Sequence, residues 1–170
     1  TRNSKKNEAQ DSLRLLSDWI RVEQQSLSRR IARVVTFNAD DLLERECNRG
    51  HNAKASPVVW PVSRASSNPR VDRGANGLPP ISVYHVHGFL PMLPKSYAHA
   101  MDCLVFTDAQ YWESVAHPMS FANRVVANAL HDSHCLFIGL SMTDINILRW
   151  LGLRFTEFTA DKVRQFDLSG

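Results

Sequence analysis

Apolar residues in this chain follow two regimes: helical spacings, and short β-branched blocks with almost no charge. From Asp11 to Ile31, Leu13, Leu16, Ile20, Leu27 and Ile31 recur on one helical face, with Trp19 beside them. That spacing predicts a long amphipathic helix with a break near Ser26–Ser28. The polar residues 1–10 before it are expected to fray. Ala32–Phe37 predicts a strand buried on both faces. Asn38 to Arg45 reads as a turn into a helix, where Leu42 and Leu43 are apolar and Asp40, Asp41 and Glu44 suit the first turns. Residues 49–80 are rich in Ser, Asn, Pro and Gly, and they predict a long excursion with a short edge strand at Val58–Val62. An excursion of this length inside a compact domain is usually functional or mobile.

Strand patterning resumes at Ile81–Val86, and a further strand is expected at Cys103–Phe106. Thr107-x-x-Gln110 makes a capping box for a helix through Tyr111 and Trp112. Pro118 is placed to open another helix through Leu130. His134–Leu140 predicts a buried strand, after which Thr143 caps a helix through Ile145, Leu148 and Leu151 that Gly152 should stop. Strand followed by helix, repeated, means parallel pairing. The expected fold class is α/β: a doubly wound, mainly parallel, Rossmann-like sheet with helices on both faces. The chain divides into an N-terminal helical segment over 1–31, a core over 32–152 that includes the 49–80 excursion, and a C-terminal segment over 153–170. No internal repeat is visible.

With 170 residues, 44% of them hydrophobic, the chain can bury the core of one domain or most of one. The net charge of +3 is dispersed, and its densest group, Arg29, Arg30 and Arg33, reads as a solvated helix end. Direct nucleic-acid binding is therefore not expected. Three widely spaced cysteines, Cys47, Cys103 and Cys135, form neither a disulfide framework nor a C-x-x-C clamp. Cys135, inside an apolar run, is expected in the core. Reduced thiols fit the cytoplasm. No apolar run approaches the roughly 20 residues that span a bilayer, so no membrane partner is expected. No signal peptide is visible; the chain opens on Thr1 rather than Met, so part of the natural N-terminus is expected upstream.

Three strand-like blocks end in polar signatures: Arg33–Asp40, Ser82–Gly88 and Cys135–Ser141. Ligands of open α/β sheets sit beyond the carboxyl ends of the strands. One pocket lined by Asn38, Asp40, His87, Gly139 and Ser141 follows. The Asn38 amide can donate and accept at once, which suits ribose hydroxyls or a positioned water. Asn38 or Asp40 equally suits a plain helix cap. His87 can remove a proton near neutral pH, and Gly88 lets a ligand approach the backbone. His85 projects to the same side two residues earlier, which makes His85-x-His87 a conceivable metal pair. Spacing marks no third ligand, so no metal is expected. Gly139-x-Ser141-x-x-Asp144 suits a phosphate or ribose at a helix start, or a plain turn capped by Thr143 or Asp144. The chain has no G-x-G-x-x-G, no P-loop and no G-x-S-x-G elbow, which disfavours ordinary dehydrogenases, P-loop NTPases and serine hydrolases.

Together these signatures resemble the SIR2-like family, NAD-consuming relatives of the sirtuins. Thr36-Phe37-Asn38-Ala39-Asp40 looks like its T-x-N-x-D motif, and Asp41-Leu42-Leu43-Glu44 is typical of its bacterial branch. His87-Gly88 matches the H-G motif, Gly139-Leu140-Ser141 the G-x-S motif, and Asp144 its extension to G-x-S-x-x-D. Leu104-Val105-Phe106-Thr107-Asp108 with Tyr111 resembles the segment between the last two motifs. The likeness covers about residues 30–152.

The resemblance implies a SIR2-type fold with NAD as substrate and no metal. Asn38 would hold the nicotinamide ribose and a water, Asp40 would position the nicotinamide end, and His87 would be the general base. Gly139 and Ser141 would contact the phosphate–ribose portion. Thr36, Phe37, Gly88 and Asp144 complete the implied NAD-binding set. Sirtuin deacylases carry two C-x-x-C pairs between the H-G and G-x-S motifs, whereas this interval holds only Cys103 and Cys135. That favours water as nucleophile, hence an NAD hydrolase releasing nicotinamide and ADP-ribose. The expected setting is anti-phage defence, in a homo-oligomer or with further domains or defence-system subunits. The alternatives are a non-catalytic NAD- or ADP-ribose-binding or assembly module, and a metal-dependent hydrolase using His85 and His87. The family's opening G-A-G-x-S segment has no counterpart here, since the first glycine is Gly50. The expectation is an incomplete domain, a fragment of a longer protein.

Overall fold

A computed structural model describes residues 2–50, 57–65, 77–98, 100–102, 104–105, 107–140, 143 and 145–167. The chain forms two compact units, Thr1–Val105 and Phe106–Gly170.

The first unit contains α1 (Arg2–Gln25), β1 (Arg33–Thr36), α2 (Leu42–Cys47), β2 (Val59–Val62) and β3 (Ile81–His85), followed by a 3-10 turn at Pro94–Ser96. The strands form a parallel sheet in the order β1-β3-β2. The unit is thus a small α/β, Rossmann-like layer. Pro61 explains why β2 lies at the edge: it has no N–H to give a second neighbour. Register pairs Val34 with Val83, Thr36 with His85, Val59 with Ile81 and Pro61 with Val83, so these residues share one face. Ile20 of α1 and Cys47 of α2 join Val58, Val59, Ile81 and Val83 in the buried core, with Leu16, Ile31, Val34 and Leu43 packed against it. Each large apolar side chain buried there contributes about 1.5–3 kcal/mol relative to exposure.

The second unit is helical: α3 (Asp108–Ala116), α4 (Phe121–Asp132) and α5 (Ile145–Asp167). Thr107 and Gln110 close the expected capping box on α3. Asn123 is fully buried and holds this unit together: its Nδ2 donates to the His117 carbonyl at 2.8 Å, and its Oδ1 accepts from Trp150 Nε1 at 3.2 Å. No helix among the described residues is long and apolar enough to cross a membrane.

Several elements depart from the sequence expectation. Residues 2–10 continue α1 rather than fray, and the helix ends at Gln25, just before the expected break. β1 is half-buried, not buried on both faces. Helix α4 starts after Ser120, whose side chain accepts from the Asn123 N–H; Pro118 precedes it in a turn. Cys103 and Phe106 lie outside the described residues, and Leu104 and Val105 between them form no strand. Residues 134–140 form no strand either, and Leu136, Phe137 and Ile138 are exposed. Cys135 is exposed as well, its Sγ donating to the Ala129 carbonyl, so it is not a core residue. Gly152 does not stop α5, which runs through it to Asp167.

Candidate functional site

The carboxyl ends of β1 and β3 are neighbours because the two strands pair in parallel, and the main chain keeps them together beyond the ladder. The Val86 N–H donates to the Thr36 carbonyl at 3.2 Å, and the Leu90 N–H to the Ala39 carbonyl at 2.8 Å. Adjacent strands lie about 4.8 Å apart. Residues 36–40 and 86–90 are therefore built as one unit.

Each signature residue after β1 has a local role. The Thr36 hydroxyl accepts from the Asn38 N–H at 3.1 Å, folding the chain back at the strand end. Asp40 Oδ1 accepts from the Leu42 N–H at 3.0 Å, so one oxygen of this carboxylate leads the chain into α2. The N-cap of α2 is Asp41, without a side-chain cap bond, so Asp40 forms a turn ahead of the helix and is not its cap. Asp41 is buried; its Oδ2 accepts from the Met92 N–H at 3.1 Å and its Oδ1 faces Arg45 Nε at 3.8 Å. It ties the start of α2 to the segment that follows the His87-Gly88 turn.

Asn38 is exposed. Its N–H goes to Thr36 and its carbonyl accepts from His85 Nδ1 at 2.9 Å. Both bonds use the main chain of Asn38. His87 is half-buried and stands edge-on to Phe37, with ring centroids 5.2 Å apart. Its carbonyl accepts from the Val105 N–H at 3.1 Å. Gly88 is buried at φ +91°, a backbone conformation that a side chain strongly disfavours.

His85 is not a metal ligand in waiting. Its side chain is 1% exposed, and Nε2 lies 2.7 Å from Oε1 of the fully buried Glu44. A carbonyl only accepts, so the hydrogen on the Asn38 side sits on Nδ1. With Nε2 occupied by Glu44, neither ring nitrogen is left for a metal, and the His85-x-His87 pair is corrected to one fully buried and one half-buried histidine. The Glu44 partnership was missed in the sequence, where Glu44 reads as a favourable charge in a helix's first turns. The signal was present in the alternation Ile81, Val83, His85, which aims His85 inward, where an imidazole needs a partner.

Gly139 belongs to the second unit, at φ +64° with open space around it. Ser141 and Asp144 lie outside the described residues. The structure thus brings together Thr36, Phe37, Asn38, Asp40, His87 and Gly88.

A family model for the SIR2-like domain matches residues 32–164, a span that runs from β1 into α5. No curated protein and no solved structure matches the chain. With most of its length matched, the chain belongs to the SIR2-like family, whose domains use NAD.

Proposed function

We propose that this domain is an NAD+ hydrolase that cleaves the nicotinamide–ribose bond. The observation that supports it best is the apposition of the Asn38 and His87 segments at two neighbouring parallel strand ends. The glycosidic nitrogen of NAD+ is cationic, so nicotinamide leaves as a neutral base and needs no acid. Positive charge grows on the sugar as that bond stretches, as in glycoside cleavage generally. The Asn38 amide holds a ribose hydroxyl and a water. The water oxygen bonds to the anomeric carbon, the C–N electron pair leaves with nicotinamide, and the water's proton passes to His87. ADP-ribose is the other product. Between His87 and Gly139 the chain has only Cys103 and Cys135, too few for the four-cysteine zinc module of the deacylases. Water is therefore the nucleophile in this reading.

The same reading makes the domain an NAD-depleting effector of bacterial anti-phage defence, acting in the cytoplasm as a homo-oligomer or with further domains or subunits. It rests on the likeness of Asp41–Glu44 to the bacterial branch. The test is nicotinamide release from NAD+ by purified protein. Asn38→Ala and His87→Ala should each lower the rate by about 100-fold or more. Unchanged rates in both variants overturn the assignment. Calorimetric binding of NAD+ or ADP-ribose without nicotinamide release selects the non-catalytic binding module instead.

A further inference from the structure

Among the described residues of the first unit, His85 and Glu44 form the most deeply buried ion pair, at 1% and 0% exposure, and the proposed hydrolysis gives neither a chemical task. Their neighbours on the same sheet face, Ile81 and Val83, show what this core accepts: apolar side chains at full burial. An imidazole–carboxyl pair there carries a desolvation cost that an aliphatic pair would not. The cost is only partly offset, because Glu44 Oε2 has no hydrogen-bond partner among the described residues. Stability alone does not account for the pair.

Its connectivity does. Glu44 Oε1 holds Nε2 at 2.7 Å, Phe89 packs on the ring at 4.2 Å between centroids, and Nδ1 grips the Asn38 carbonyl at 2.9 Å. The carboxyl fixes the imidazole, and the imidazole fixes the peptide plane from which the Asn38 side chain departs. We infer that His85, oriented by Glu44, is a positioning residue for Asn38. It acts as the third group of a catalytic triad acts on its base, but through the main chain. The consequence for turnover rests on the hydrolase reading above; the consequence for the Asn38 turn does not.

Two substitutions separate the two ends of the imidazole. The amide nitrogen of Asn falls near Nδ1 and that of Gln near Nε2. His85→Asn therefore keeps the bond to Asn38 and loses Glu44, whereas His85→Gln keeps Glu44 and loses Asn38. Glu44→Gln retains a partner for Nε2 and serves as the conservative rescue. In His85→Gln, kcat for nicotinamide release should fall about tenfold or more while KM for NAD+ stays within about threefold, as expected for misplacement rather than lost binding. His85→Asn should lose several-fold less than His85→Gln, and Glu44→Gln, which keeps a partner for Nε2, should stay within about threefold of the parent kcat. Hydrogen exchange over amides 37–42 should quicken in His85→Gln alone, with amides 12–24 of α1 unchanged. Equal rates and equal exchange in His85→Asn and His85→Gln overturn the inference, as does a loss that follows thermal stability instead of the Asn38 bond. If the parent protein releases no nicotinamide, the hydrolase reading falls, and the exchange comparison still decides the role of His85.

Discussion

Phe37 and His87 meet edge to face across two strand ends, with centroids 5.2 Å apart and planes at 77°. One follows β1 directly and the other lies two residues beyond β3, so the parallel pairing of those strands creates the contact. An edge-on aromatic pair contributes about 0.5–1.5 kcal/mol, enough to bias a half-buried imidazole toward one rotamer. Phe37→Leu keeps apolar bulk and removes the ring. We expect nicotinamide release to slow by about tenfold with the thermal midpoint little changed, because misaligning a base costs rate more than stability. Steady-state kinetics beside a thermal melt check this. A full-rate Phe37→Leu protein would show that His87 needs no support from β1.

Gly88 follows the histidine directly, buried and at φ +91°. A β-carbon in that conformation stores strain of about 1–3 kcal/mol. Gly88→Ala should therefore lower the urea midpoint at unchanged slope, and it should also slow nicotinamide release, since relief of strain must turn the His87 peptide. A variant as stable as its parent would show that the turn adopts another backbone at no cost.

Local chemistry was legible in the sequence and non-local chemistry was not. Thr107 and Gln110 are three residues apart and needed nothing else to announce the start of α3. The edge strand expected at Val58–Val62 is β2, and the β1 and β3 blocks ended where their polar signatures began. By contrast, residues 134–140 have strand composition but no ladder, because a strand needs a partner that the block itself does not encode. Gly152 looked like a stop, yet a glycine inside a helix costs only about 1 kcal/mol, and a long helix absorbs it. The inward Glu44 was hidden for a related reason. A carboxylate early in a helix suits the helix dipole and suits a buried histidine equally, and only tertiary packing tells the two apart.

Arg21 shows the same dependence on distant partners. From α1, its Nε donates to the Cys47 carbonyl at 2.9 Å, and its Nη2 donates to the Glu46 carbonyl and, at 3.3 Å, to that of Arg49. Glu46 and Cys47 form the last turn of the six-residue α2 and Arg49 lies just beyond it, so the guanidinium adds to the main-chain bonds from Asn48 and Arg49 that close the helix. Arg21→Ala should destabilise the protein by about 1.5–3 kcal/mol, the range for hydrogen bonds from charged donors. Arg21→Lys should recover only part of it, because a single ammonium cannot reproduce the fork. Chemical denaturation of the three proteins checks the order, and equal midpoints for Arg21→Ala and its parent would remove the cap from the argument.

Cys47 gives the fold a pH dependence of its own. Burial first, and then the nearby Glu44 carboxyl, push its thiol from the ordinary 9.0 to about 12. The folded state therefore holds this proton more tightly than the unfolded chain. The associated stability is fully present below pH 9 and is lost as the pH rises from 9 towards 12. Over that window the loss approaches about 1.4 kcal/mol per pH unit for one group. Burial also raises the Tyr97 phenol, so the parent's total slope is steeper than Cys47 alone would make it. The difference between parent and Cys47→Ala isolates the thiol: unfolding free energies by urea at pH 8 and pH 10.5 should converge at the higher pH. Near neutral pH the native protein should leave Cys47 unmodified by an alkylating reagent while the exposed Cys135 reacts, as peptide mass mapping reads directly. Labelling of Cys47 as fast as Cys135, or parallel pH profiles in the two proteins, would show that α2 opens readily and that its core face is not sealed.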